Sequence, residues 1–587
     1  MDGHRLHRAR RPAGRPHLST TRAAVRSAAL SVLVVAPFFV LGLGGVPFDD
    51  PGEGMHAEIA RELGASGDAL RLTLNGVRYV DKPPLLYALL ATAFGLGGAS
   101  ETMARLVPAL AALAAVAATG WLGTRLLGPR CGFVAGAALA TSCGFFVYGR
   151  YVRPETLFVA AIATGFALLL VGVIEDRRLV TAAGLAAFGV AGLAKDPLGA
   201  LLPPVAIGLA LAACGCARPV RRWLPPSGLA ALLLLGLGWY VAASAATPGF
   251  AWYTVVDNHM LNVARIRRFP DEDVPLSAAE FLVVGAVGAL PWLAPAAVIV
   301  WRLVRARAWR DPAEAPWTAL ALWAVGVFGL TALSGFRLPH YGLPAYPAIA
   351  LLAARGWAEL DTRRLAAAHA VLFAALGALC ALGWARGPAA LSGVLDATDV
   401  ATRKAASTGG AVIDPAMFVP LLGVTSLTFA AGATLLTALA LVHRGRSLPV
   451  YAVIATLLLV LPAVAAALAA SASARAVKSI AREVAARFEP GDLLVHEGPL
   501  ENSGALEWYS GVRPVIVDGR RSVLAFGASR PETADAFWDE ARLAAMWRGE
   551  RRVWLVTGRR PGASLVTRLP QPRLLASGGG RRLYVNR

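Results

Sequence analysis

Charge is what this chain has least of. Only 16% of its 587 residues are charged against 56% hydrophobic, with a mean hydropathy of +0.56, whereas a soluble domain carries about a quarter. The class left is a polytopic membrane protein. Cysteine is scarce as well: Cys131, Cys143, Cys214, Cys216 and Cys380 fall in or beside apolar runs, which argues against a disulfide framework or a cysteine zinc cluster. Cys214-Gly215-Cys216 is one residue short of the redox spacing and reads as small residues at a span end. Neither HxxxH nor HExxH spacing occurs, so no short metal motif is present. There is no internal repeat of the kind transporters carry and no long low-complexity linker. The N-terminus pairs a basic region with an apolar run at 27–45 but lacks a convincing cleavage site, so that run reads as an uncleaved first helix.

What is abundant is arginine. The formal charge of +20 could suggest a nucleic-acid partner, but the distribution decides otherwise. Arg5, Arg8, Arg10, Arg11, Arg15, Arg22 and Arg26 crowd the N-terminus, and most other arginines fall in short loops between apolar runs. That is a topology signal. A bilayer needs about 20 apolar residues per helix, and this ruler yields about thirteen spans: 27–45, 103–124, 132–148, 156–174, 179–194, 198–214, 226–246, 278–301, 316–334, 341–354, 366–385, 416–442 and 450–470. The run 83–98 is apolar but short and opens on two prolines, so it is expected to lie in the interface.

With the N-terminus cytoplasmic, alternate loops are basic: Arg125/Arg130, Arg177/Arg178, Arg218/Arg221/Arg222, Arg302/Arg305/Arg307/Arg310, Arg355/Arg363/Arg364 and Arg444/Arg446. Counting 83–98 as a span would put every later basic loop outside. The expected fold class is therefore an all-α polytopic membrane protein of about thirteen transmembrane helices with a small α/β extracytoplasmic domain. Its parts are a basic cytoplasmic N-terminus (1–26), a transmembrane domain (27–470) with a first outer loop at 46–102, and an outer domain (471–587). In the last, helical stretches at 475–488 and 534–547 alternate with the β-like runs DLLVHE, RPVIVD and RRVWLVT.

The polar clusters gather on the outer side. Asp49, Asp50, Glu53, His56, Glu58, Asp81 and Lys82 lie in the first outer loop; Tyr148, Arg150, Arg153 and Glu155 in the second; Lys195 and Asp196 in the third. Asn258, His259, Arg265, Arg267 and Arg268 follow in the fourth, and Arg337, His340 and Tyr341 in the fifth. Charge beside a membrane is expensive unless it serves a site, although single loop charges near headgroups are ordinarily just solvated. Acids and bases together suit a reaction at a lipid phosphate: Lys82, Arg268 and Arg337 would neutralise the phosphate, and Glu53 or Asp50 would take a proton from an incoming hydroxyl. His496 and Glu497 are expected to end a strand without a catalytic role.

In ordered combination, Glu53 with HAEIAREL (56–63), NGVRYVDKPPLLY (75–87), RPETL (153–157), LAKDPLG (193–199), Asn258-His259 ahead of RIRRF, ALPW (289–292) and FRLPHYGLPAYP (336–347) resemble the GT-C membrane glycosyltransferases. The resemblance is to the bacterial lipid A aminoarabinose transferases, related to the protein O-mannosyltransferases, and covers about the first 350 residues. It implies an inner-membrane enzyme moving a sugar, a pentose or aminopentose among the candidates, from undecaprenyl phosphate to a lipid A-like or other envelope acceptor, with no nucleotide cofactor and no nucleic acid. It further implies a catalytic role for Glu155, donor-phosphate contacts from Lys82, Lys195, Tyr341 and the arginines, and a divalent metal near carboxylate and histidine positions, here Asp81 and His259. The family's paired acids before Arg-Tyr-Ala-Glu-Ile are broken: Gly52 stands at the first acid and Met55-His56 replace Arg-Tyr. Asp50 supplies the missing carboxylate or Glu53 acts alone. The rival reading is a transporter or flippase for a lipid-linked substrate.

Overall fold

A computed structural model describes residues 19–400, 402–404, 413–442, 447–522 and 524–587. The N-terminal arginines up to Arg15 and the loop pair Arg444/Arg446 lie outside the described residues.

Each of the thirteen expected spans forms helix, yet not each forms a straight crossing. Among the described residues eight helices are long and apolar enough to cross a membrane, or up to ten if two bent pairs each count as one span. The expected count of thirteen is therefore not reached. The run 132–148 breaks at Ser142 into Pro129–Thr141 and Cys143–Gly149, bent by 70°. The run 278–301 breaks around Pro291 into Ala278–Gly288 and Leu293–Arg305, bent by 109°, because proline can neither continue the hydrogen-bond ladder nor fit behind it. Arg178–Ala194, Leu198–Ala213 and Tyr346–Glu359 are short, and at 1.5 Å per residue each reaches only about 21–26 Å. The helix Leu85–Gly97, 13 residues, spans still less, in keeping with an interfacial position.

Small residues bring these helices together. A Cβ on Gly184 would meet the Leu169 backbone at 2.5 Å, and one on Gly192 would meet the Gly236 backbone at 2.9 Å. Such close backbone approach is how helices associate where lipid removes the hydrophobic drive.

The first outer loop is a folded unit. Gly52–Ser66 is a helix, Thr73–Leu74 (β1) and Val77–Arg78 (β2) pair as a hairpin, and its turn, Asn75-Gly76, has φ of 53° and 72°, the geometry a tight two-residue hairpin demands. The helix lies against Gly504–Ser510 of the C-terminal domain so closely that a Cβ on Gly54 would overlap Ala505. Asn75 Nδ2 donates to Ser503 Oγ at 2.6 Å and the Phe48 N–H donates to Tyr509 Oη at 2.8 Å.

The C-terminal domain begins later than expected, since the span helix Leu448–Arg475 runs past Ser471. Its sheet has the order β5-β4-β3-β6-β8-β7. The three expected runs are its parallel centre: β3 (Leu493–Glu497), β4 (Val515–Val517) and β6 (Val553–Thr557). The expected helix at 534–547 is Glu540–Arg548, preceded by the short β5 (Phe537–Trp538). The antiparallel hairpin β7 (Arg573–Gly578) and β8 (Arg581–Val585) was not expected.

Candidate functional site

Glu53 sits in the first turn of the helix Gly52–Ser66, 1% exposed. Its Oε1 accepts from Arg105 Nε at 2.9 Å and from the Val152 N–H at 3.0 Å; its Oε2 accepts from Arg105 Nη2 at 2.5 Å and from the Asp49 N–H at 2.9 Å. Arg105 directs its other donors to the carbonyls of Leu43, Val46 and Pro47. A carboxylate with four donors on two oxygens has little capacity left for a substrate proton. Glu53 ties the loop to the membrane helices. Gly52 is explained by its neighbour: a Cβ there would lie 2.5 Å from Tyr151 Oη, so Tyr151 fills the space an acid side chain would need.

Asp50 is different. It is 3% exposed and ion-paired with Arg581 of β8, and neither carboxylate oxygen has a hydrogen-bond partner among the described residues. Burial, opposed by Arg581, pushes its carboxyl up to about 6. It lines a cavity of about 860 Å³ that runs under the C-terminal domain and is bounded inward by Tyr148, Tyr151 and Arg153. Asp49 beside it is held by Arg475 at 2.6 Å and 2.5 Å, and Arg475 also pairs with Asp399.

Behind Arg153 lies a second cluster. Glu155, which opens the helix Glu155–Glu175, is 3.3 Å from Lys195 Nζ, 3.3 Å from His340 Nε2 and 3.9 Å from Arg153 Nε. Its Oε2 has no hydrogen-bond partner among the described residues. The Tyr341 ring carries Lys195 over its face at 5.3 Å, and His340 packs between Tyr148 and Tyr341. Burial outweighs Glu155 and drives the His340 imidazole well below its usual range, leaving it neutral. Lys82 pairs with Asp81 at 2.6 Å, and Tyr253 Oη donates to Asp81 at 3.4 Å. Burial alone would lower the Lys82 ammonium, but Asp81 holds it above the ordinary lysine range. His259 Nε2 is 3.0 Å from Asp196, and Arg267 pairs with Asp257 at 3.2 Å while facing the Tyr253 ring.

The structure thus brings together Glu155, Lys195, Tyr341, Lys82 and Asp81, with His259 on their edge, and sets Asp50 along the adjoining cavity. It does not bring in Arg268, whose side chain is exposed against Phe269 while the neighbouring Arg267 turns inward. Arg337 is buried, but its guanidinium donates to the carbonyls of Leu276, Ala332 and Ser334, which makes it a brace for the loop. Asp81 and His259 form no joint ligand set among the described residues. Lys82 occupies the position beside Asp81 that a cation would take, and His259 is committed to Asp196 and the Thr254 carbonyl, so these residues do not fit a divalent ion. Among the described residues the one acidic group with ligand spacing is Glu58, Glu62 and Glu507, already countered by Arg61 and Arg513. His496 and Glu497 do end β3, and Glu497 receives Ser564 and Arg559. Arg581 and Tyr151 carry no mark in the sequence, and Arg267 is marked there only as one of the fourth-loop arginines; the folded loops give all three their roles.

Comparison with known proteins places this geometry in context. Residues 81–240 match the dolichyl-phosphate-mannose-protein mannosyltransferase family. The undecaprenyl phosphate-alpha-4-amino-4-deoxy-L-arabinose arabinosyl transferase of Edwardsiella ictaluri is 27% identical over 339 residues, 55% of this chain and 58% of that one. Transferase 1 of the same name from Sodalis glossinidius is 29% identical over 350 residues, covering 56% and 59%. The match spans under two thirds of the length of these curated relatives. The crystal structure of ArnT from Cupriavidus metallidurans bound to undecaprenyl phosphate superposes with a TM-score of 0.78 at 22% identity, over 97% of this chain and 99% of that one. The chain shares the fold of that structure over 97% of its length and is a multi-pass membrane protein.

Proposed function

We propose that this chain transfers a sugar from a polyprenyl phosphate, undecaprenyl phosphate in bacteria, to the hydroxyl of a lipid A-like or other envelope acceptor at the outer face of the inner membrane. The observation that carries the reading is the cavity lined by Asp50, Tyr148 and Arg153, with Arg153 3.9 Å from Glu155 and Glu155 3.3 Å from Lys195 behind it. Lys82, Lys195 and Arg267 would hold the donor phosphate, exchanging part of their present carboxylate contacts for phosphate oxygens. Glu155 keeps Lys195 and Arg153 in place between turnovers. Asp50, whose Oδ1 is unmet while Oδ2 faces Arg581, accepts the acceptor's hydroxyl proton as that oxygen bonds to the anomeric carbon. The carbon–oxygen bond to phosphate breaks, its electron pair leaves with the polyprenyl phosphate, and the lysines stabilise that charge. A second cavity of about 550 Å³, lined by Pro37, Phe38, Leu41, Leu461 and Ala465 and sharing Asp49 and Tyr151 with the first, offers room for a lipid tail.

This chemistry needs no nucleotide, and the donor sets present support a reaction without a divalent metal. The N-terminus and the basic loops would be cytoplasmic and the C-terminal domain extracytoplasmic, because Arg125, Arg222 and Arg355 lie at the helix ends opposite the loops that build the site. The test is transfer of radiolabelled sugar from a polyprenyl phosphate in vesicles. Wild-type protein should release free carrier phosphate and Lys82→Ala should not; release unaltered by that substitution would sink the assignment.

A further inference from the structure

On the side of the molecule opposite Asp50 lies a separate cavity of about 480 Å³, a size in the range of small-molecule sites. It sits where the helices Leu293–Arg305 and Tyr346–Glu359 end and the helix Ala315–Leu333 begins. Its lining includes the buried side chains of Ile299 and Leu303. The charged part of the wall is four arginines, Arg302, Arg307, Arg310 and Arg355, and three carboxylates, Asp311, Glu314 and Glu359.

Pairing sorts these groups. Arg355 holds Glu314 through Nη1 at 2.5 Å and Nη2 at 2.9 Å, and Glu359 through Nε at 2.7 Å. Asp311 Oδ1 accepts the Ala313 N–H at 2.9 Å and caps a turn. Among the described residues no ion pair or hydrogen bond holds the side chain of Arg302, Arg307 or Arg310. At Arg307 the backbone is left-handed, with φ of 52°, a conformation uncommon for such a residue. The chain turns there, and Arg310 lines the same cavity as Arg302. Helix C-termini attract cations and cytoplasmic loops are basic in general. Neither tendency requires three guanidinium groups to share one concave wall.

The surroundings favour a lipid over a soluble anion. The helix that carries Arg302 exposes Val298, Trp301 and Val304 along one stripe, and Arg305 lies over the Trp301 ring at 5.1 Å. An exposed tryptophan among apolar residues at a helix end is the mark of the headgroup level of a bilayer. Basic pockets between helices on the cytoplasmic side are suited to anionic headgroups, whose phosphate oxygens accept from the guanidinium fork. Asp311 Oδ2 and Glu359 Oε2 accept no hydrogen bond among the described residues, and the hydroxyls of a glycerol headgroup would meet them as donors.

We propose that this cavity is a second lipid site, which binds the phosphodiester headgroup of an anionic phospholipid, such as phosphatidylglycerol, in the leaflet facing away from the transfer site. No step of the transfer passes through it, so it stands or falls apart from the transferase reading; its leaflet follows the orientation given above.

The experiment counts lipids bound to the full chain in detergent by native mass spectrometry. The probes are phosphatidylglycerol, zwitterionic phosphatidylethanolamine and glycerophosphoglycerol, the same headgroup without its acyl chains. Wild type should bind phosphatidylglycerol about tenfold more tightly than phosphatidylethanolamine, since each basic residue near a headgroup adds a several-fold factor. The triple variant Arg302→Gln, Arg307→Gln and Arg310→Gln should lose that preference. Those side chains make no contact the fold depends on, so the variant should fold. A control variant, Arg130→Gln with Arg218→Gln and Arg221→Gln, removes as much charge from exposed arginines outside the cavity and should keep the preference. Equal binding of the two lipids by wild type, a preference that survives in the cavity variant, or an equal loss in the control would overturn the proposal. Binding of glycerophosphoglycerol as tight as that of the lipid would make the cavity a site for soluble phosphates and overturn it as well.

Discussion

At the scale of single residues, the carboxylates of the first loop divide by what already holds them. Glu53 has four donors and Asp50 has a counter-charge without a hydrogen bond, so their substitutions should fail in different ways. Glu53→Gln leaves Arg105 buried without its anion, a loss of about 3–5 kcal/mol; folded yield and thermal midpoint in detergent should both drop. Asp50→Asn should fold, yet lose transfer by about 10²-fold or more. The Asp50 carboxyl has to be ionised to take a proton and titrates at about 6, so wild-type kcat/KM should be flat above that pH and decline as pH falls through it. A profile still flat at pH 5 would remove Asp50 from the role. Gly52 offers a third test at this scale. Gly52→Asp, which adds an acid beside Glu53, collides with the Tyr151 hydroxyl and should impair transfer; pairing it with Tyr151→Ala should recover part of the loss.

Among elements, the decisive contact is between the helix Gly52–Ser66 and the helix Gly504–Ser510. Gly54→Val should destabilise the docked C-terminal domain by about 1–3 kcal/mol, read as faster proteolysis of that domain in intact vesicles. Undiminished protease resistance would show that the two helices can separate without penalty. The sequence made the long elements legible and hid their interruptions, for physical reasons. Twenty apolar residues announce a span, and of its two interruptions Pro291 marks one in the sequence, while the break at Ser142 falls where no helix-breaking proline stands. The strands β3, β4 and β6 were readable because central parallel strands are apolar along their length. By contrast β7, RLLASG, has no buried residue, and β8, RRLYV, alternates buried with half-buried positions. The site was legible as a set of loops and not as a set of contacts. Arg267 and Arg268 are adjacent and chemically identical, and only the loop's path turns the first inward. The lysines carry a further signal: of 57 Lys and Arg residues four are lysine, and Lys82, Lys195 and Lys404 all lie at the site or its cavity. In a chain that otherwise uses arginine for its positive charge, a lysine marks a place where a compact ammonium is wanted.

For the whole molecule, the proposed metal-free reading has a direct test. Transfer should survive incubation with EDTA followed by buffer exchange at better than about half its starting rate, since Lys82 already fills the cationic place beside Asp81; a loss restored by a divalent ion would overturn the metal-free reading. Orientation is tested by single cysteines in a variant lacking the five native ones. A thiol at Arg130 should be shielded from a membrane-impermeant reagent in right-side-out vesicles and one at Arg530 labelled.

Asp50 takes its counter-ion from β8, and Arg581 on that strand also donates to the Arg475 carbonyl at 3.0 Å, so the first loop is completed by one of the last segments to be synthesised. Severing β8 from the membrane domain would therefore leave Asp50 buried beside the first membrane spans without its counter-charge.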